Sequence, residues 1–257
     1  MKKLLLITIV VTTLLACDNK QKKKEIKTIT QTEDSTDSDN SKFGRKNFTV
    51  IWKWTTTDVK KVEEHIVKFS EEMNSLWKNG DIENVYFNSN SKIDKLEYLP
   101  NNSFFIKAKT KAKAETMLNE IILVKEGLIT PIVYPVGTKW LGRNEETIHK
   151  KGLTKSFVVV WSRLREVDLT KDQNILIDQT DELLRLNGNG DIENVYWDLE
   201  NTANPSVNKD VEDFVFFINA NSQEEARKIC DSLPFTKAKI VSYSIHPVGV
   251  FWLGEYK

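Results

Sequence analysis

The stretch Asn79–Tyr86, "NGDIENVY", returns letter for letter at Asn189–Tyr196. At ordinary residue usage a chance match of that length in a chain of this size has odds on the order of one in a hundred thousand. The chain therefore carries an internal duplication, and the duplication decides the fold. Working outward, "FTVIWKW" from Phe48 matches "FVVVWSR" from Phe157, and "SFFIKAKTKAKAE" from Ser103 matches "VFFINANSQEEAR" from Val215. "YPVGTKWLG" from Tyr134 matches "HPVGVFWLG" from His246. Each copy has about the 100 residues of one small domain.

The order of patterns is the same in both copies. Phe48, Val50, Trp52 and Trp54 alternate as in a strand. Val59, Val62, Ile66, Phe69, Met73 and Leu76 then recur at helical spacing, which predicts an amphipathic helix. Gly80, like Gly190 in the second copy, suits the left-handed residue that ends a helix. "DIENVY" reads as a second strand. A long polar loop, a third strand (Phe104–Ala108 or Phe214–Ala220), a second helix and a last strand into Tyr134 or His246 complete the unit. In copy two, Ser222 and Glu225 have capping-box spacing at the start of that second helix. The order β-α-β-β-α-β is the ferredoxin-like split βαβ unit.

A four-stranded sheet of this kind has helices on one face only. "FVVVW" is apolar on both alternations, as in a strand covered on both sides, and an open apolar face would be larger than monomers expose. The expected fold is therefore α+β: two tandem ferredoxin-like repeats packed sheet to sheet as an intramolecular dimeric α/β-barrel. Copy two also resembles the muconolactone isomerase-like family. Its opening strand, Leu-rich helix ending in Gly, Ser-x-Glu-Glu-Ala helix start, "LPF" and final "HPVG" follow that family's order. The resemblance implies the dimeric α/β-barrel fold and, as an alternative function, acid/base isomerisation. Copy one departs from it, with Tyr134 for the His before Pro and "EIILV" for "DSLPF".

The chain opens "MKKLLLITIVVTTLLAC". Lys2 and Lys3 followed by a short apolar run read as a secretory signal, too short for a comfortable membrane span. "LLAC" resembles the lipobox of bacterial lipoproteins, which implies cleavage before Cys17 and lipidation of Cys17. More than one acyl chain there would hold the protein on a membrane of the bacterial cell envelope. Residues Asp18–Lys46 are Lys-rich and then Ser/Thr/Asp-rich, a composition that cannot order itself. The expected division is a signal over 1–16, a tether over 17–46, and repeats over 47–145 and 146–257.

The sequence has 37 basic and 37 acidic residues. Losing Lys2 and Lys3 with the signal leaves two acids in excess, which argues against a nucleic-acid partner. No Cys/His cluster has metal-ligand spacing, and neither metal nor cofactor is expected. With Cys17 lipidated, Cys230 is alone, at helical spacing with Ala226, Ile229 and Leu233, and reads as a small buried hydrophobe.

Few residues are candidates for chemistry. His246, at a strand end, is the best candidate for proton transfer, with Glu193 as its carboxylate. Asp81, Glu83, Asp191 and Glu193 either mark helix stop and strand entry or line two related clefts. Trp52, Trp161, Tyr86, Tyr196, Trp140 and Trp252 recur at matched positions, as core or as an apolar pocket. Two functions follow. One is a lipid-anchored module that binds a small apolar or aromatic ligand, or a protein partner, with Trp161, Tyr196, Glu193 and His246 as lining. The other is an isomerase-like enzyme, which requires His246 and a Glu or Tyr to converge in a closed cavity.

Overall fold

The computed structural model describes residues 44–87, 102–152, 155–197 and 214–255. The signal, Cys17, nearly all of the tether and the long polar loops lie outside the described residues. The described residues fall within one compact unit, Lys42–Lys257.

Copy one runs β1 (Lys46–Trp54), α1 (Val59–Lys78), β2 (Ile82–Phe87), β3 (Ser103–Ala108), α2 (Lys111–Asn119), a short α3 (Ile122–Lys125), β4 (Ile129–Val136) and β5 (Thr138–Leu141). A connecting helix α4 (Glu145–Lys151) leads to copy two. There follow β6 (Ser156–Arg163), α5 (Gln173–Gly188), β7 (Ile192–Trp197), β8 (Phe214–Asn219), α6 (Gln223–Ser232), α7 (Pro234–Lys237), β9 (Val241–Val248) and β10 (Val250–Leu253). The fold is α+β with two five-stranded antiparallel sheets. The first strand starts at Lys46, and Arg45 bonds Asp81.

Local signals act as read. The Asp58 carboxylate caps α1, accepting from the Lys61 amide at 3.2 Å. Gly80 and Gly190 end α1 and α5 with φ of 69° and 73°. Ser222 Oγ accepts from the Glu225 amide at 3.2 Å, while the Glu225 carboxylate accepts from the Asn221 amide. That is the expected capping box, reaching one residue further back.

One feature of the topology was not legible. Sheet one has the order β10-β2-β3-β1-β4 and sheet two β5-β7-β8-β6-β9. Each copy lends its last short strand to the other copy's sheet. "PVGTKWLG" and "PVGVFWLG" read as a turn after the last strand, yet Gly137 and Gly249 separate two strands that belong to different sheets. The arms are pinned alike: Trp77 Nε1 donates to the Gly254 carbonyl and Asn187 Nδ2 to the Gly142 carbonyl, both at 2.9 Å.

Apolar side chains sort into three cores. Phe48, Val50, Trp52, Phe69, Met73 and Phe104 belong to the core of sheet one and its helices, and Phe157, Trp161, Leu183, Phe214, Cys230 and Phe235 to that of sheet two. The third core lies between the sheets, where Tyr86 stacks on Phe217 and Phe105 on Tyr196 at centroid separations of 3.8 and 3.5 Å. "FVVVW" feeds both faces, as its double alternation implied: Phe157, Val159 and Trp161 toward the helices, Val158 and Val160 toward the other sheet.

Gly190 packs under α4. A Cβ there would lie 3.1 Å from Thr147 Cγ2 and 3.3 Å from the Ile148 nitrogen. Gly127 has φ of 65° with nothing within 4 Å of a built Cβ. Gly127→Ala therefore costs only the left-handed backbone, about 1 kcal/mol. Gly190→Ala adds overpacking against α4, for a total of roughly 2–3 kcal/mol. Urea denaturation of the two variants should give that order.

Candidate functional site

The repeated octapeptide encodes a reciprocal lock between the sheets. After the helix-ending glycine, Ile82 faces the helix-side core and Glu83 faces the other sheet. Asn84 then takes φ of 50°, and Asn194 in copy two takes 46°. Asn tolerates this left-handed region better than most residues. The sheet register shifts at the same point, between Glu83 and Tyr86 and between Glu193 and Tyr196. This bulge inserts one residue and resets the alternation. Val85 returns to the helix-side core, while Tyr86 joins Glu83 and Asn84 on the inter-sheet side.

Those polar groups meet their counterparts across the interface. Tyr86 Oη donates to Glu193 Oε1 at 2.6 Å and accepts from Asn194 Nδ2 at 2.8 Å. Tyr196 Oη donates to Glu83 Oε1 and accepts from Asn84 Nδ2 at 2.9 Å. Glu83 is 6% exposed and Glu193 is fully buried. Burial and the adjacent carboxylate raise both phenols well above their ordinary value, so both stay protonated donors through the neutral range.

The second carboxylate oxygens have different partners. Lys107 Nζ lies 2.5 Å from Glu83 Oε2. The Arg143 guanidinium binds Glu193 Oε2 and sits over the Phe251 ring, 4.4 Å from its centroid. Burial pushes the Glu193 carboxyl up, against the opposing pull of Arg143 and Tyr86.

A cleft of about 470 Å³ opens beside the Glu83 lock, lined by Arg45, Asn47, Gly80, Ile82, Glu83, Lys107, Lys139 and Glu255. Arg45 bridges Asp81 at 2.6 Å and the Gly80 carbonyl at 3.0 Å, and Lys139 Nζ lies 2.6 Å from Glu255 Oε1.

The four residues proposed from sequence as one lining are distributed over different environments. Trp161 packs on Phe214, Phe216 and Phe235 on the helix side. Tyr196 and Glu193 lie between the sheets but in separate locks, each paired with the other copy's Glu83 and Tyr86. His246 is half-buried on the outer strand β9, opposite Val158, with Nε2 3.3 Å from Ser244 Oγ. Burial and Lys53 lower its pKa. His246 is not among the residues lining the cleft. Cys230 is fully buried and its thiol is pushed up by burial. Among the described residues no His, Cys, Asp and Glu group is placed to hold a metal, and no helix is long and apolar enough to cross a membrane. Arg45, Lys107, Lys139, Arg143 and Glu255 were missed. Their signal was the aligned copies, where Lys107 stands against Asn219, Lys139 against Phe251 and Arg143 against Glu255.

No family model and no curated protein sequence matches the chain. Solved structures with a similar fold include chlorite dismutases of Candidatus Nitrospira defluvii. One is 11% identical with a TM-score of 0.47, covering 80% of this chain and 92% of its own. Another is a candidate monooxygenase of Lactobacillus acidophilus, 10% identical with a TM-score of 0.43, covering 82% of this chain and 96% of its own. These superpositions are too loose to carry any chemistry across.

Tyr86→Phe leaves Asn194 Nδ2 without its acceptor and Glu193 with one donor fewer, at a cost of about 1–3 kcal/mol. Tyr196→Phe should cost a similar amount, and equilibrium unfolding measures both. Because the folded pKa of Glu193 is raised, its contribution is fully present below its unfolded value and declines as pH rises through the folded value. Unfolding titrations of wild type and Glu193→Gln should show wild type losing ground to the variant across that rise.

Proposed function

We propose that the chain is a lipid-anchored protein of the bacterial cell envelope. Its two ferredoxin-like repeats, closed sheet to sheet as a pseudo-dimeric α/β-barrel, act as a binding module rather than an isomerase. The observation that carries this reading is the filled space between the sheets. Ile51, Tyr86, Phe105, Val158, Tyr196, Val215 and Phe217 are each at most 2% exposed there, and both inter-sheet glutamates are engaged by phenol and cation. General acid/base work needs a group within hydrogen-bond reach of a bound substrate, and His246 stands apart from both carboxylates' partners. Among the described residues, side chains of this core occupy the space that an apolar or aromatic ligand would need between the sheets. The polar cleft beside Glu83 offers a place for a small molecule. The lipobox supports anchoring through Cys17, with the tether giving the module a reach of roughly 30 Å from the membrane.

Two measurements test the reading. Cys17→Ser should abolish incorporation of labelled fatty acid and release the protein from membranes; unchanged labelling would remove the anchor. A thermal-shift screen should return charged small molecules, while aromatic acids and lactones neither raise the melting temperature nor turn over. Isomerisation of a lactone that is lost in His246→Ala would restore the enzyme reading.

A further inference from the structure

The duplication supplies an internal comparison at the start of each copy's second helix. Residues 107–115 read "KAKTKAKAE", and the matching residues 219–227 read "NANSQEEAR". The frame is the same. Thr110 Oγ1 accepts from the Lys113 amide as Ser222 Oγ accepts from the Glu225 amide, both at 3.2 Å. Ala114 and Ala226 are both fully buried. The charges differ. Copy one places four lysines and one acid where copy two places two acids and one arginine.

Helix stability does not account for these lysines, because the first turn of a helix favours negative charge. Helix α6 follows that rule with Glu224 and Glu225. Helix α2 has no acidic residue in its first turn and carries Lys111 and Lys113 there.

The lysines gather where the chain enters copy one. Lys46, the first residue of β1, pairs in register with Ala108, between Lys107 and Lys109. Arg45 and Lys107 are held by Asp81 and Glu83. Lys46 and Lys111 are exposed, and Lys109 and Lys113 are half-buried. With Glu115 as the one acid of the segment, this end is cationic. At the matching end of copy two, Arg143 pairs with Glu193 and Lys151 with Asp191. There Lys155 and Arg227 are matched by Glu224 and Glu225.

Basic groups are drawn to anionic lipid only within about a Debye length of the surface, so a cationic face works on a membrane when something holds it near. Residues 17–43 join the lipobox cysteine directly to this end of the module. Resting on the reading of Cys17 as a lipid anchor, we propose that the end of copy one carrying Lys46 and Lys111 docks on the anionic headgroups of the bilayer that holds the anchor. Docking leaves the Arg45–Asp81 and Lys107–Glu83 pairs in place and acts first through the exposed Lys46 and Lys111. Helices α2 and α6 pack on opposite outer faces, one against the core of sheet one and the other against that of sheet two. Docking therefore fixes which face of the barrel meets the membrane.

The test places a fluorophore on either face. Cys230 is fully buried, so a thiol reagent marks the position offered by Ala112→Cys on α2 or, at the matching place, Glu224→Cys on α6. Each labelled, lipidated full chain is reconstituted on vesicles of phosphatidylcholine, alone or mixed with phosphatidylglycerol, that carry a headgroup energy-transfer acceptor. Flotation should recover the protein with both vesicle types. Transfer from position 112 should exceed transfer from position 224 only where phosphatidylglycerol is present. That excess should vanish at roughly 0.5 M salt, where the Debye length is only a few ångström. In the chain labelled at 112, Lys46→Gln and Lys111→Gln should each lower the ratio of docked to undocked protein about fivefold, with circular dichroism confirming the fold. Lys228→Gln, on exposed α6, should leave the ratio unchanged. Flotation on both vesicle types with equal transfer from the two positions would overturn docking and leave the anchor. Flotation on phosphatidylglycerol vesicles alone, with position 112 near the lipid, would overturn the anchor and keep the docking face. Flotation on neither would overturn both.

Discussion

Two glutamates buried between apolar sheets set the terms for the rest of the molecule. A carboxylate removed from water costs several kcal/mol unless bonded and paired. Neither Glu83 nor Glu193 finds its phenol within its own copy. Each takes it from the opposite one, Tyr196 for Glu83 and Tyr86 for Glu193, and the asparagine amides close each lock. An apolar interface alone tolerates small slips of one sheet over the other. Two reciprocal locks do not, because a slip leaves six polar side chains without their partners in a buried space. The octapeptide is therefore written twice because neither half of the contact works without the other.

Covalent linkage lets the symmetry be used unevenly. In a true homodimer both ends of the interface would carry identical residues. Here the frame is held in both copies while the residues flanking each glutamate diverge: Arg143 against Glu255, Phe251 against Lys139, Asn219 against Lys107. One end is closed by the chain's own guanidinium and by α4. The other carries the charged cleft among the described residues.

Much of this was legible, for physical reasons. Helical spacing in Val59–Leu76, the glycine stops at Gly80 and Gly190, and the double alternation of "FVVVW" are consequences of backbone period and burial, and the elements formed where those periods placed them. The bulge was less visible. "DIENVY" looks like a plain strand, and only the adjacent polar pair Glu83-Asn84 hints at an inserted residue. The exchanged strands Thr138–Leu141 and Val250–Leu253 are too short to show a period, and nothing local tells a strand which sheet it will join. The site was the hardest part. His246 stands out by chemistry, but its surroundings depend on long-range register. The cleft residues are ordinary lysines and acids whose meaning appears only when one copy is laid over the other and their charges are found to disagree.

The strand exchange also constrains how the chain can mature. Synthesis runs from the amino to the carboxyl end, so β2 leaves the ribosome long before its outer neighbour β10. At about 5–20 residues per second the interval is roughly ten to thirty seconds. Throughout it, sheet one lacks its last strand, and the Tyr86 hydroxyl waits for a carboxylate that has not been made. Copy one cannot mature as an independent early domain, and its exposed edge and inner face must be kept from other chains until copy two arrives. Closure by distant segments also raises contact order, which slows folding.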